Sequence, residues 1–188
     1  MMYGIDVSEH NGCLDWKLIK SAGMQFAIIR CSYGLHEDSK FMENIYNATN
    51  AGLKCGVYHY SYALSQMESL TESNFVRDLI NDSGCLLELP IFLDMEDSDY
   101  YKANRIDITR ELITDISEAF IDNLKQYYDT GIYANLNWLE NLIDWEKLNC
   151  AVWSAQWSNV DDFKGYMWQF TDKLNILGNY YDGDILYI

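Results

Sequence analysis

Leu89-Pro90-Ile91-Phe92-Leu93-Asp94-Met95-Glu96-Asp97 is an unbroken apolar run that ends on acids. A strand with one wet face alternates apolar and polar residues. A run without alternation fits a strand buried on both faces, as in a parallel sheet covered by helices. Ala27-Ile28-Ile29 reads the same way. Working outward, β-rich runs recur at Tyr3 to Val7, Phe26 to Cys31, Gly56 to Tyr60, Pro90 to Asp94, Gly131 to Ala134, Ala151 to Gln156 and Met167 to Phe170, with a weaker one at Ile185 to Ile188. Stretches with apolar residues three and four apart lie between them, at Lys40 to Ala51, Gln66 to Asn81 and Thr109 to Tyr128, and predict helices. Helical stretches are expected to stop at the glycines of Ala22-Gly23, Ala51-Gly52 and Thr130-Gly131.

Strand and helix in alternation imply parallel strands joined by crossover helices, and eight strands would close a barrel. The fold class expected is α/β, a partly irregular (β/α) barrel, TIM-barrel-like, with eight strands and fewer than eight full helices. The chain has 188 residues, against about 250 for a complete barrel of this kind. Helices should therefore be missing or shrunken, chiefly in the last third. An open doubly wound sheet is the alternative, weakened by the lack of a G-x-G-x-x-G turn or a phosphate-binding loop. No linker, low-complexity tract or internal repeat divides the chain, so residues 1–188 are expected to form one catalytic domain.

The formal charge of −16 repels a phosphate backbone and disfavours nucleic acid and anionic membranes as partners. No run approaches the roughly 20 apolar residues of a membrane span. The same charge favours dispersed monomers. The five cysteines are odd in number and lack a C-x-x-C pair, so they read as free thiols rather than as a disulfide or zinc framework. The start, Met1 to Gly12, shows no basic segment followed by an apolar one, which points to synthesis in the cytoplasm without a signal peptide. Tyrosine (15) and tryptophan (6) together outnumber phenylalanine (7), and their flat faces with polar edges suit both half-buried positions and sugar rings.

Asp94 and Glu96 are two residues apart at a strand end, so their side chains share one face, about 7 Å apart along the backbone. Glycoside hydrolysis needs one protonated carboxyl group to release the leaving oxygen, and negative charge or a nucleophile for the positive sugar centre. Two near carboxyls resist ionising together, so Asp94 should raise the proton affinity of Glu96. The alternative use of such acids is helix capping or a solvated loop. Asp6 ends the first apolar run, and Asp182 and Asp184 stand just before the last, so acids from both ends of the chain would meet at one rim of a closed barrel.

Gly4-Ile5-Asp6-Val7-Ser8, Asn11-Gly12, Asp15-Trp16, Phe26 to Arg30 and Tyr33-Gly34 resemble the opening of family 25 lysozymes in order and spacing. The likeness continues through Phe41 with Asn44, Gly56 to Tyr60, Leu93 to Glu96, Gly131-Ile132-Tyr133, Trp153-Ala155-Gln156 and Trp168-Gln169-Phe170. It implies a muramidase, an endolysin-like hydrolase of bacterial peptidoglycan that cuts the β-1,4 bond between N-acetylmuramic acid and N-acetylglucosamine without a cofactor or metal and reaches the cell wall after release. It also implies Glu96 as general acid, Asp94 assisting the reacting centre, and Asp6 and Asp182 completing the acidic site. Asp184 is the alternative to Asp182, because the ending Tyr-Tyr-Asp-Gly-Asp-Ile-Leu departs from the commoner family pattern. Tyr133, Trp153 and Gln156 resemble substrate-contacting positions.

Tyr58, Tyr60 and Tyr62 share a face and suit either a cleft wall or the core. His59, on the opposite face, reads as a satisfied core histidine, and His10 and His36 as loop residues. Arg30 is expected either to organise the acidic rim or to form a buried salt bridge. Glu111, Asp115, Glu118 and Asp122 read as a solvated helix face. Two rival functions use the same residues. One is a metal-dependent hydrolase, for which three dispersed histidines give little support, and the other is a glycan-binding module without catalysis.

Overall fold

The structure, a computed structural model, describes residues 1–187. Nine strands are formed: β1 (Met2–Val7), β2 (Phe26–Tyr33), β3 (His36–Glu37), β4 (Lys54–Tyr60), β5 (Ile91–Asp94), β6 (Thr130–Asn135), β7 (Ala151–Ala155), β8 (Met167–Ile176) and β9 (Asn179–Leu186). The helices are α1 (Trp16–Ser21), α2 (Phe41–Asn50), α3 (Gln66–Ser83), α4 (Arg110–Leu124), α5 (Leu136–Asn141) and α6 (Trp145–Leu148), with a 3-10 turn at Glu9–Asn11. The strand order β1-β9-β8-β7-β6-β5-β4-β2 is closed by pairing of β1 with β2, giving an eight-stranded barrel. β3 is a two-residue flap on the end of β2, so His36 sits in a strand rather than a loop.

The three long helices are α2, α3 and α4, and the others are a turn or two long. Between β7 and β9 there is none. The sequence expectation of shrunken helices late in the chain therefore matches the barrel. No helix among the described residues is long and apolar enough to cross a membrane.

Two expectations are corrected. β9 runs antiparallel to both its neighbours, β8 and β1. The link from β8 is only Leu177-Gly178, with φ of +51° and +94°. A two-residue turn with positive φ at both positions makes a hairpin, whereas a parallel return needs a long crossover. β9 also begins well before Ile185, so Asp182 and Asp184 lie inside it rather than ahead of it. Ile188, the end of the expected run, lies outside the described residues. The second correction concerns Gly131. Gly23 and Gly52 have φ of +98° and +79° and do follow helices, but α4 ends at Leu124 and Gly131 is inside β6.

Gly131 is in that strand to make room. Alternation sends Ile91, Leu93 and Met95 outward against the helices, and Phe92 inward. The inner core packs Met2, Phe26, Ile28, Phe92, Trp153 and Met167 across the barrel axis. The wall opposite each large ring must be bare: a Cβ on Gly131 would stand 2.4 Å from the Phe92 ring, and one on Gly4 2.6 Å from that of Phe26. The outer core is larger, and holds Ile113, Ile116, Phe120 and Leu124 of α4 against the strands. All five cysteines are free.

Candidate active site

Strands β1, β2 and β4 to β8 run parallel, so their C-terminal ends share one rim, and the inward series on each strand supplies its chemistry. At the C-terminal end of β5 the buried, outward Met95 separates Asp94 from Glu96, and both acids face a cleft of about 570 Å³. Asp182 lines the same cleft. The antiparallel register of β9 sets Asp182 directly opposite Asp6, and Asp184 opposite Gly4. Asp6, 5% exposed, lies behind that lining, close enough for its charge to act on Asp94, and Asp184 is fully buried. The four acids at 6, 94, 96 and 182 thus come together at one rim.

Tyr58, Tyr60 and Tyr62 line the cleft. The hydroxyls of Tyr60 and Ser98 lie 3.2 Å apart, and the Tyr62 hydroxyl donates to Asp99 Oδ2 at 3.0 Å. Trp153 is a floor residue rather than a contact surface. It is 1% exposed, its ring centroid is 4.4 Å from that of Tyr133, and its indole N–H donates to Asp184 Oδ1 at 2.9 Å. Gln156 is elsewhere: its amide nitrogen donates to Asp162 at 2.6 Å and its amide oxygen accepts from the Asp162 N–H, so it fastens the loop after β7.

The glutamine in the site is Gln169. Its amide nitrogen donates to Asp6 Oδ2 at 2.8 Å, and its oxygen accepts from the Tyr133 hydroxyl and the Trp157 indole, each at 3.1 Å. The signal was present, because Met167 faces inward and Gln169 is two residues on. Lys102 was also missed, and its side chain reaches the carbonyls of Ser61 and Glu96.

Arg30 ends in a buried salt bridge, with Asp38 at 2.7 Å and Glu9 at 3.2 Å, and lines the cleft without pairing to its four acids. His10 is in the 3-10 turn at the cleft edge. His59 is a core histidine, fully buried between the Ser32 hydroxyl at 2.8 Å and Glu72 at 3.2 Å, and stacked on Phe120. On α4, Glu111 and Asp122 are exposed, while Asp115 and Glu118 are half-buried and pair with Lys147.

Burial is the main force on every acid of the site. It pushes Asp94 well above the usual carboxylate range, and the charge of Glu96 adds to the rise. It also raises Glu96, with Asp97 and Asp99 adding and the ammonium of Lys102 opposing. Asp6 is pushed up to about 7 by burial and by Asp182, and Asp182 to about 6 by burial and by Asp172. Asp184 is driven well up by burial and by Asp6. Such a cluster holds protons at a pH where free carboxyls have lost them, the condition a general acid needs. Among the described residues, no three acid, imidazole or thiol groups converge in a way that could hold a metal ion.

This arrangement costs stability, and the sign is testable. Between the usual carboxylate value and about 7, folded Asp6 keeps a proton that the unfolded chain has lost. Stability therefore falls as pH rises across that window, and levels off above it. Asp6→Asn keeps the acceptor for Gln169 and removes the charge. It is expected to stabilise the fold by roughly 2–4 kcal/mol at pH 8 and by little at pH 4. Denaturant unfolding at the two values checks this; an equal effect at both would show that the Asp6 charge is not the cause.

A family model described as glycosyl hydrolases family 25 matches residues 5–179. Lysozyme M1 of Streptomyces globisporus is 46% identical over 59 residues, 31% of this chain and 20% of that protein. The autolytic lysozyme of Clostridium acetobutylicum is 24% identical over 183 residues, 93% of this chain and 52% of that protein. The chain thus spans about half or less of the length of these curated relatives. The modular autolysin LytC from Streptococcus pneumoniae, solved with a synthetic peptidoglycan ligand, matches with a TM-score of 0.90 at 25% identity, over 99% of this chain and 46% of that one. A family 25 glycosyl hydrolase from Bacillus anthracis matches in fold, with a TM-score of 0.82 at 22% identity, over 100% of this chain and 89% of that one.

Proposed function

This chain belongs to family 25 of the glycosyl hydrolases, and from that premise we propose that it is a muramidase, a peptidoglycan hydrolase that cleaves the β-1,4 bond between N-acetylmuramic acid and N-acetylglucosamine. Residues 1–188 act as one catalytic domain, as a monomer. The observation that carries the reading is the pair at the end of β5: Asp94 and Glu96 face a tyrosine-walled cleft that Asp182 also lines, with Asp6 buried beside Asp182. The lysozyme names of the curated relatives and the peptidoglycan ligand of the LytC structure support the substrate class.

Glu96 is half-buried and open to the cleft, so it both retains a proton and reaches a bound glycan. It donates that proton to the glycosidic oxygen as the bond breaks, and the water whose oxygen then bonds to the sugar centre returns a proton to it. Asp94, the deeper of the two, is held protonated by burial more tightly than Glu96 is, and stabilises the positive charge that develops on the sugar once that proton is lost. The two carboxyls titrate as a pair, and the active form is the one holding a single proton. Asp182 and Asp6 add negative charge beside the pair as pH rises past about 6 and about 7, where each gives up its proton. Tyr58, Tyr60 and Tyr62 offer ring faces and hydroxyls to the sugars.

Incubation with bacterial walls tests the reaction class and the bond together. Clearing is expected to persist in excess chelator, and new reducing ends are expected on muramic acid. Loss of clearing with the chelator would favour a metal-dependent hydrolase. Reducing ends on glucosamine would make the enzyme a glucosaminidase. No clearing and no new ends, with glycan still bound, would leave a binding module.

A further inference from the structure

Behind the cleft lies a charge that the reaction as proposed does not use. Lys102, in the segment between β5 and α4, is 1% exposed. An ammonium removed from water is costly unless its donors are used, and here they are spent on main-chain oxygens. Nζ donates to the carbonyls of Ser61, just past β4, and of Glu96, the latter at 2.9 Å, and stands 5.7 Å from the centre of the Tyr60 ring. Among the described residues it forms no ion pair. The loop is wound to bring it there: Asp97 accepts from the N–H of Lys102 at 2.7 Å and from that of Ala103 at 2.9 Å, folding residues 97–103 back on Glu96.

Tying two strand ends together does not require a charge, because an apolar side chain would fill the space at lower cost. What only a charge supplies is a field on the acids in front of it. Lys102 is the largest charge opposing the rise that burial gives Glu96, and it opposes that of Asp94 as well. Asp94, Glu72, Asp97 and Asp99 in turn hold its own proton against burial, while Asp6 and Arg30 act on Asp94 from the other strands.

We propose that Lys102 is a positioning residue for the acid pair, fixing Glu96 through its carbonyl and supplying from behind the cleft the positive charge that balances the two acids. The role rests on Glu96 being the proton donor. Without Lys102 both carboxyls hold protons more tightly, so the pH range in which the pair carries a single proton moves upward.

The test compares the full chain with Lys102→Met, Lys102→Arg and Glu96→Gln by wall-glycan cleavage against pH and by thermal melting. Lys102→Met is expected to fold, to lose about a hundredfold in kcat, to keep KM, and to move both limbs of the pH profile up by about one unit. Lys102→Arg keeps the charge but fits two carbonyls poorly with its planar fork, so it is expected to lose rate with its limbs unmoved. Wild-type limbs in Lys102→Met overturn the proposal, whatever the rate. If Lys102→Met fails to fold, the arginine variant decides, and shifted limbs there overturn it. Activity retained in Glu96→Gln overturns the assignment of Glu96 itself, an outcome separate from any shift of the limbs.

Discussion

Glu96→Gln is expected to lower kcat on wall glycan by about 10²- to 10⁴-fold with KM little changed. Glutamine matches glutamate in shape and still accepts hydrogen bonds, but it has no acidic proton to give the leaving oxygen. The fold should not notice. Glu96 is only half-buried and, among the described residues, forms no salt bridge, so the change is expected to cost under about 0.5 kcal/mol of stability. Steady-state kinetics beside a melting curve separates the two effects. A variant that melts normally and still cleaves at the wild-type rate would remove Glu96 from the chemistry, and attention would turn to Asp94, the deeper of the pair.

Gly131→Val is expected to be the most damaging single change to the fold, at more than about 3 kcal/mol, or roughly 10 °C in Tm. A Cβ at position 131 would lie 2.4 and 2.5 Å from two atoms of the Phe92 ring and 2.9 Å from the Ala151 carbonyl. The ring has nowhere to go. It packs edge-on against Trp153, centroids 5.3 Å apart, with Tyr166 on another side at 6.4 Å. The strand cannot retreat either, because β6 is hydrogen-bonded to β5 and β7. Trimming the ring should relieve the clash, so Phe92→Leu combined with Gly131→Ala is expected to cost less than the sum of the single changes. Denaturant midpoints of the four proteins measure that coupling, and simple additivity would show that the two positions do not compete for one volume.

The two effects come from one device. Inward positions low in the barrel are filled by rings set against glycines, and that rigid plug carries the acids on the next inward positions above it. Phe92 precedes Asp94 by two residues, and Gly4 precedes Asp6 by two. The acids are thereby held buried and close together, at a cost in stability above pH 7 that Asp6→Asn should recover.

Much of this was legible in the chain because it is local. Continuous apolar runs mark strands buried on both faces, and three- and four-residue spacing marks α2, α3 and α4. The D-x-E at positions 94 and 96 needs only the two-residue repeat of a strand to place both acids on one side. Gln169 could have been placed by the same repeat from Met167. Gln156 was assigned by resemblance alone, and nothing in its neighbourhood indicated that its amide would fasten to Asp162. Lys102 gave no local signal, since a lysine in a loop is ordinarily solvated, and only the winding of residues 97–103 around Asp97 buries it.

By itself the sequence determined the strands, the long helices and the acid pair, because these depend on side-chain period and on neighbours within a few residues. Tertiary structure alone decided the direction of β9, the pairing of Asp182 with Asp6 and the burial of Asp184 and Lys102. Those depend on a two-residue turn that reverses the last strand and on the register with which it closes the barrel. A run such as Asn179-Tyr-Tyr-Asp-Gly-Asp184 reads locally as turn-forming, and it becomes a strand only when β1 and β8 supply hydrogen-bond partners on both sides.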